Sequence, residues 1–375
     1  MTVAAPYLAS LGIEYASPAP FRAALEAEVA SFFTSRGLSR KGSYALWGKT
    51  AVLALWLASS YVLLVFAARQ PWQFALLAVS LACAMAGIGF NVQHDGGHGS
   101  YATSTSVNRM MAFSLDLLGG SSYFWRYKHG GAHHGYPNIA GFDDDIYLGA
   151  LGRLTPHDRR FWFHRFQYLY VWLLYGMLAI KWQLVDDFRS IIKPGVAATR
   201  VPRPGRREHL LFWSGKILFF GLALGLPVAL HPWQGVLAVF LLTDVVLGLL
   251  LAVVFQLAHC LGEAAFVAPP RPGQIMEHDW ATHQVEATVD FARENRALTW
   301  FVGGLNFQIE HHLFPRVCHT HYPALSTIVE RVCRAHGIRY IAHPTATAAL
   351  GSHLRWLRHL GRYAGQTDKD AQASC

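Results

Sequence analysis

The sequence predicts an all-α integral membrane protein. Four transmembrane helices form two hairpins, and a cytosolic helical cap carries a histidine-rich metal site. Three observations predict this. Of 375 residues, 53% are hydrophobic and only 15% are charged, with a positive mean hydropathy, which suits a chain largely buried in lipid. Four long apolar runs come as two closely linked pairs. Three tight clusters of histidine lie just after a run or in the segments outside the runs.

Residues 1–44 read as an N-terminal cytosolic segment. They lack a basic stretch followed by an apolar core, so no cleaved signal peptide is expected. The first run, Ala51–Ala68, and the second, Trp72–Val92, are free of charge and separated only by "RQP"; two spans so linked form a hairpin. The second pair, Leu210–Leu230 and Gln234–Ala258, is joined at "HPWQ" and contains Lys216 and Asp244. Lys216 is expected to snorkel. Asp244, near mid-span, is costly unless it faces protein or a cavity; it reads either as a buried hydrogen-bond partner or as a functional group. The run Tyr168–Trp182 is short for a span and flanked by Arg165 and Lys181, which reads as an interfacial helix, with a crossing as the alternative. The membrane domain covers 45–363, with the cap in 93–209 and 259–363. The polar end, 364–375, reads as a disordered tail.

The charge pattern orients these spans. The two short links hold one basic residue between them, whereas Arg36, Arg40, Lys41, Arg126, Lys128, Arg203, Arg206 and Arg207 flank the other span ends. The positive-inside tendency puts both termini and the central segment in the cytoplasm. The net charge of +9 is spread through these polar segments, a topology signal and not a nucleic-acid footprint. Cys83, Cys260, Cys318, Cys333 and Cys375 are odd in number and show no CxxC spacing, so no disulfide framework is implied.

The clusters are "HDGGH" (His94, His98), "HGGAHH" (His129, His133, His134) and "QIEHH" (Gln308, His311, His312), with His259 at the end of the fourth run. On a helix, residues four apart lie within about 40° of one another, so each box can project two imidazoles from one face. Adjacent histidines diverge by about 100°, so each "HH" pair can reach two metal atoms. Glycines in the first two boxes either let helices approach a shared centre or mark helix ends. Every cluster falls on the cytoplasmic side, so distant segments can converge at one membrane-proximal site. Imidazole suits iron, copper, nickel and zinc alike. Eight nitrogens exceed one zinc site, and two metals are the natural count. The other twelve histidines read as surface or packing residues.

The segments "NVQHDGGHGSY", "WRYKHGGAHHGYPNIAGFDDDI", "HQVEATVDFA" and "GGLNFQIEHHLFPRVCHTHYPAL" resemble the membrane fatty acid desaturase family over about two thirds of the chain. The "QIEHHLFP" stretch is similar to the front-end type, without the fused cytochrome b5 domain and its "HPGG" motif. The resemblance implies an oxygen-activating di-iron centre with His94, His98, His129, His133, His134, His311 and His312 as ligands. His259 matches the family's additional histidine after the last span. Gln308 stands where other desaturases carry histidine, which points to a role through water or through a neighbour. Asp95, Asp143, Asp144, Asp145 and Glu310 are candidate acceptors behind the imidazoles.

The implied reaction introduces a double bond into a fatty acyl chain, carried on coenzyme A or a lipid. Its cofactors are two iron ions, with O2 as co-substrate. A methylene C–H bond resists ordinary acids and bases, so metal and dioxygen carry the hard chemistry, and no catalytic side chain is needed beyond the ligands. A separate electron donor (ferredoxin, cytochrome b5 or a reductase) is expected. The protein itself is expected in a bacterial inner membrane or the endoplasmic reticulum, with its active site on the cytoplasmic side. Arg126, Lys128 and the C-terminal arginines read either as contacts to the substrate head group or as contacts to anionic membrane lipid. A hydroxylase on the same scaffold is the nearest alternative. A metal transporter would place its ligands near mid-membrane.

Overall fold

A computed structural model describes residues 14–193, 195, 201–268, 271 and 273–363; residues 364–375, read above as a tail, lie outside it. Regular structure among the described residues is helical, apart from one two-residue pairing in which Asp290–Phe291 runs parallel to Ala342–His343, and the isolated bridges Glu14–Ile275 and Ile139–Val267. Four helices are long and apolar enough to cross a membrane: Tyr44–Ala67, Pro71–His98, Arg206–Leu230 and Trp233–His259. The first starts seven residues before the predicted run and takes in Lys49, which is 8% exposed with Nζ 3.1 Å from His319 Nε2. The second starts on Pro71, whose missing N–H costs nothing at a helix start. There the Gln73 side chain accepts from the N–H groups of Arg69 and Gln70 at 2.7 and 2.9 Å. The fourth follows Pro232.

The second and fourth spans form the apolar centre. Ala82, Met85, Ala86 and Phe90 pack with Phe240 and Leu247, and with Phe219 of the third span; the alanines let the backbones approach closely. The first span is tied to the second through Ser80, whose hydroxyl meets Trp56 Nε1 at 2.9 Å and Ser60 Oγ at 2.8 Å. Tyr61 donates to the Leu222 carbonyl of the third span at 2.7 Å.

Lys216 does not snorkel. It is 2% exposed, and Nζ donates to Asp187 Oδ2 at 2.8 Å, to the Gly119 carbonyl at 2.6 Å and to the Gln183 carbonyl at 3.2 Å. A buried carboxylate and two carbonyls replace the interfacial water expected from the sequence. Asp244 is also buried, and its Oδ1 accepts from Gln183 Nε2 at 3.2 Å. The segment read as interfacial is two helical stretches, Trp162–Gly176 and Leu178–Ile192, bent by 51°. It lies against the fourth span where Gly176 meets Gly248: a Cβ on Gly248 would sit 2.6 Å from the Gly176 carbonyl oxygen.

The cap has its own core. Phe21, Leu25, Val29 and Phe33 of the helix Pro20–Ser35 pack on Leu325, Val329 and Val332 of the helix Tyr322–Ala335, and on Phe307, Ile309 and Leu313 around the third histidine box. This packing buries every residue of the helix Gln308–Leu313.

Candidate metal centre

The second span does not end in a regular α-turn. Gly89–Gln93 form a π-helical turn that runs straight into the short helix His94–His98, and such turns often mark functional positions. The second box lies on a π-helical turn, Lys128–His133, so the predicted i,i+4 pairing survives in a wider helix. His129 and His133 stack with ring centroids 5.1 Å apart. The first-box glycines permit close approach: a Cβ on Gly96 would come within 2.6 Å of Ala112 N, and one on Gly97 would strike the Trp125 ring. Gly130 and Gly131 of the second box face no such contact.

The structure brings all eight histidines together. Ligand-capable atoms of His94, His98, His129 and His311 lie within 4.8 Å of one another, and so do those of His133, His259 and His312. His134 shares a third such group with His311 and His312, which places it between the two poles. His133 Nε2 faces His312 Nε2 at 3.1 Å, and His134 Nε2 faces His129 Nε2 at 3.2 Å. Both nitrogens of His94, and His98 Nε2, His134 Nδ1, His259 Nδ1 and His311 Nε2, are buried with no hydrogen-bond partner among the described residues. Buried polar atoms are rarely left so. Convergent imidazole nitrogens without partners form a donor set that fits transition-metal ions.

A family model described as fatty acid desaturase matches residues 70–344. The chain belongs to the fatty acid desaturase family. It is 34% identical to the sn-1 linoleoyl-lipid 6-desaturase of Synechocystis sp., over 93% of this chain and 98% of the relative. It is 32% identical to the enzyme of that name from Arthrospira platensis, over 91% and 92%. It is also 32% identical to the acyl-lipid (8-3)-desaturase of Mortierella alpina, over 92% and 79%.

Behind the desaturase's histidines, the acidic candidates take different places. Asp143 Oδ2 accepts from His133 Nδ1 at 3.0 Å and from the Asn138 N–H at 3.0 Å. Burial alone would lower the His133 pKa, but Asp143 outweighs it and holds the pKa above the usual histidine value. Asp145 lies 3.7 Å from His129 Nδ1 and pairs with Lys128 at 2.9 Å. Burial pushes that carboxyl up, and Lys128 with the nearby histidines brings it well below the carboxylate range. Asp144 begins a short 3-10 turn that Asp143 caps. Asp95 meets His319 Nδ1 at 2.9 Å. Glu310 Oε1 accepts from the Tyr340 hydroxyl at 3.0 Å; its pKa is raised by burial and by Asp290, whose own is pushed up to about 6. Gln308 Nε2 lies 2.9 Å from His259 Nε2. Burial holds His129 below the ordinary histidine range, and His134, His311 and His312 well below it, which keeps those imidazoles neutral, as metal ligation requires.

Four contributors escaped the sequence reading. Gln284 Oε1 lies 2.9 Å from His312 Nδ1, and the Tyr322 hydroxyl 3.3 Å from His311 Nδ1. His319, read above as a surface or packing residue, joins Asp95 to Lys49, whose Nζ is 3.1 Å from His319 Nε2. Only the "HQVEATVDFA" segment carried a signal for Gln284, and it was one of similarity and not of spacing.

Proposed function

We propose that this desaturase is an acyl-lipid enzyme of the front-end type, working on a lipid-linked fatty acyl chain at a di-iron centre on the cytoplasmic side of the membrane. The convergence of all eight histidines into two poles supports this most directly. His94, His98, His129 and His311 would hold one iron, His133, His259 and His312 the other, and His134 would lie between them. When bound, the two irons supply dioxygen activation: two hydrogens leave adjacent methylenes, and with O2, two electrons and two protons the products are a double bond and two waters. The protein orients the imidazoles, and burial excludes bulk water and keeps His129, His134, His311 and His312 neutral.

The substrate class rests on the relatives, named as acyl-lipid or linoleoyl-lipid desaturases. A cavity of about 460 Å³ among the four spans, lined by Phe74, Leu81, Met85, Phe219, Val236 and Phe240, offers an apolar place for the methyl end of a chain. The spans form two hairpins with the basic flanks in the cytoplasm, and the bent segment 162–192 lies in the interface. A separate carrier of the ferredoxin, cytochrome b5 or reductase class delivers the electrons.

Expression in a host without polyunsaturated lipids, with double bonds mapped by mass spectrometry, tests the reading. New double bonds in membrane lipids are expected, and none with His311→Ala. A hydroxylated product, or full activity with two irons in His311→Ala, would overturn it.

A further inference from the structure

Gln284 is fully buried on the helix Trp280–Glu286, between the second and third histidine boxes. That helix is held firmly at its start and along its faces. Asp279 accepts from the Ala281 N–H at 2.9 Å and from Thr282 Oγ1 at 2.6 Å. His283 Nε2 reaches the Pro137 carbonyl at 2.9 Å, and Ala281 and Val285 sit in the cap core. The Gln284 side chain therefore has little freedom, and its one hydrogen bond among the described residues is to His312 Nδ1 at 2.9 Å; its Nε2 has no partner among them.

The tautomers at this pole follow from their partners. Asp143 accepts at His133 Nδ1, so that proton sits on Nδ1 and a lone pair on Nε2. With Gln284 Oε1 accepting at His312 Nδ1, His312 also carries its lone pair on Nε2. Those two Nε2 atoms face each other at 3.1 Å, a repulsive meeting of lone pairs unless a cation joins them. The opposite amide orientation would leave a proton on His312 Nε2 and block ligation there. One imidazole of the pole is thus backed by a carboxylate and the other by a neutral amide.

We propose that Gln284 is a positioning residue of the metal centre. It fixes the His312 tautomer so that Nε2 faces the metal shared with His133 and His259, and its neutrality makes this pole less electron-rich than a second carboxylate would. The inference rests on reading the eight histidines as ligands of two irons. Partners of this kind typically contribute 10- to 100-fold in metal affinity, and a charged acceptor makes its histidine a stronger donor to the metal.

The test loads the wild-type desaturase, Gln284→Leu and Gln284→Glu with 57Fe, and measures iron per chain at limiting free iron, the Mössbauer spectrum and the midpoint potential. Gln284→Leu is expected to weaken the second iron about 10- to 100-fold, so that occupancy falls from two towards one and one component of the spectrum is lost. Gln284→Glu is expected to keep two irons, with a lower potential. The inference is overturned if Gln284→Leu binds both irons as tightly as the wild type, or if Gln284→Glu leaves the potential unchanged. Should Gln284→Leu fail to fold, the potential of Gln284→Glu decides alone. A wild-type protein that binds no iron would sink the di-iron reading itself, a different result from either.

Discussion

Asp143 Oδ2 and His133 Nδ1 meet at 3.0 Å with both side chains fully buried. The same carboxylate also shapes the loop after the second box, since Oδ2 accepts from the Asn138 N–H and Oδ1 from the Asp145 N–H, each at 3.0 Å. Asn138 in turn spans to the carbonyls of His259 and Ala287, at 2.9 and 3.0 Å. One acidic residue thus ties an imidazole of the second box to the end of the fourth span.

Asp143→Ala is therefore expected to lose iron from the pole of His133, His259 and His312, with affinity down at least about 10- to 100-fold. Asp143→Asn can still accept at one atom and is expected to fall between. Iron analysis of the purified proteins reads the difference. Equal iron content in all three would show that the carboxylate does not support the site.

Lys216 and Asp187 form a buried pair, each side chain 2% exposed. Lys216→Met leaves a carboxylate in an apolar setting and is expected to cost about 3–5 kcal/mol. The double variant Lys216→Met/Asp187→Leu removes both charges and is expected to recover most of that loss. Thermal unfolding in detergent, run as a double-mutant cycle, separates the pair from its parts.

The spans and the boxes were legible because both are local patterns: hydropathy over about 20 residues, and histidines within five positions of one another. What escaped is non-local or irregular. The π-turns at Gly89–Gln93 and Lys128–His133 have no composition that distinguishes them from α-helix. His319 reads as a surface or packing residue until folding sets it between Asp95, 224 positions away, and Lys49, 270 positions away. Lys216 reads as a snorkelling lysine until Asp187 arrives from another helix. Glu310, in the middle of the third box, turns to Tyr340 and not to an imidazole, which no spacing rule foretells.

Gly235 lines the cavity among the spans, and a Cβ built on it meets nothing within 4 Å. Gly235→Phe is therefore expected to fill space without displacing the helix. If the methyl end of the substrate occupies that cavity, the variant should shift preference towards shorter chains at constant position of the new double bond. Competition between acyl chains of different length, read from the product ratio, checks it. An unchanged ratio would place the methyl end elsewhere.

His353 is expected to give the fold a pH dependence. Its Nε2 meets the Tyr175 hydroxyl at 2.9 Å, and Nδ1 donates to the Cys260 carbonyl at 2.7 Å. Burial lowers its pKa from 6.5 to about 4. As pH falls below 6.5 the unfolded chain takes up a proton that the folded chain refuses until about pH 4, so stability falls with pH across that window. His283, lowered to about 4 by burial, acts in the same direction. Each contributes a slope of up to about 1.4 kcal/mol per pH unit. Thermal unfolding of the wild type and of His353→Gln between pH 4.5 and 7 reads the effect. The wild type should lose more stability on acidification than the variant, because glutamine keeps a hydrogen-bonding group without a titrating one. Parallel curves would assign the acid sensitivity to other groups.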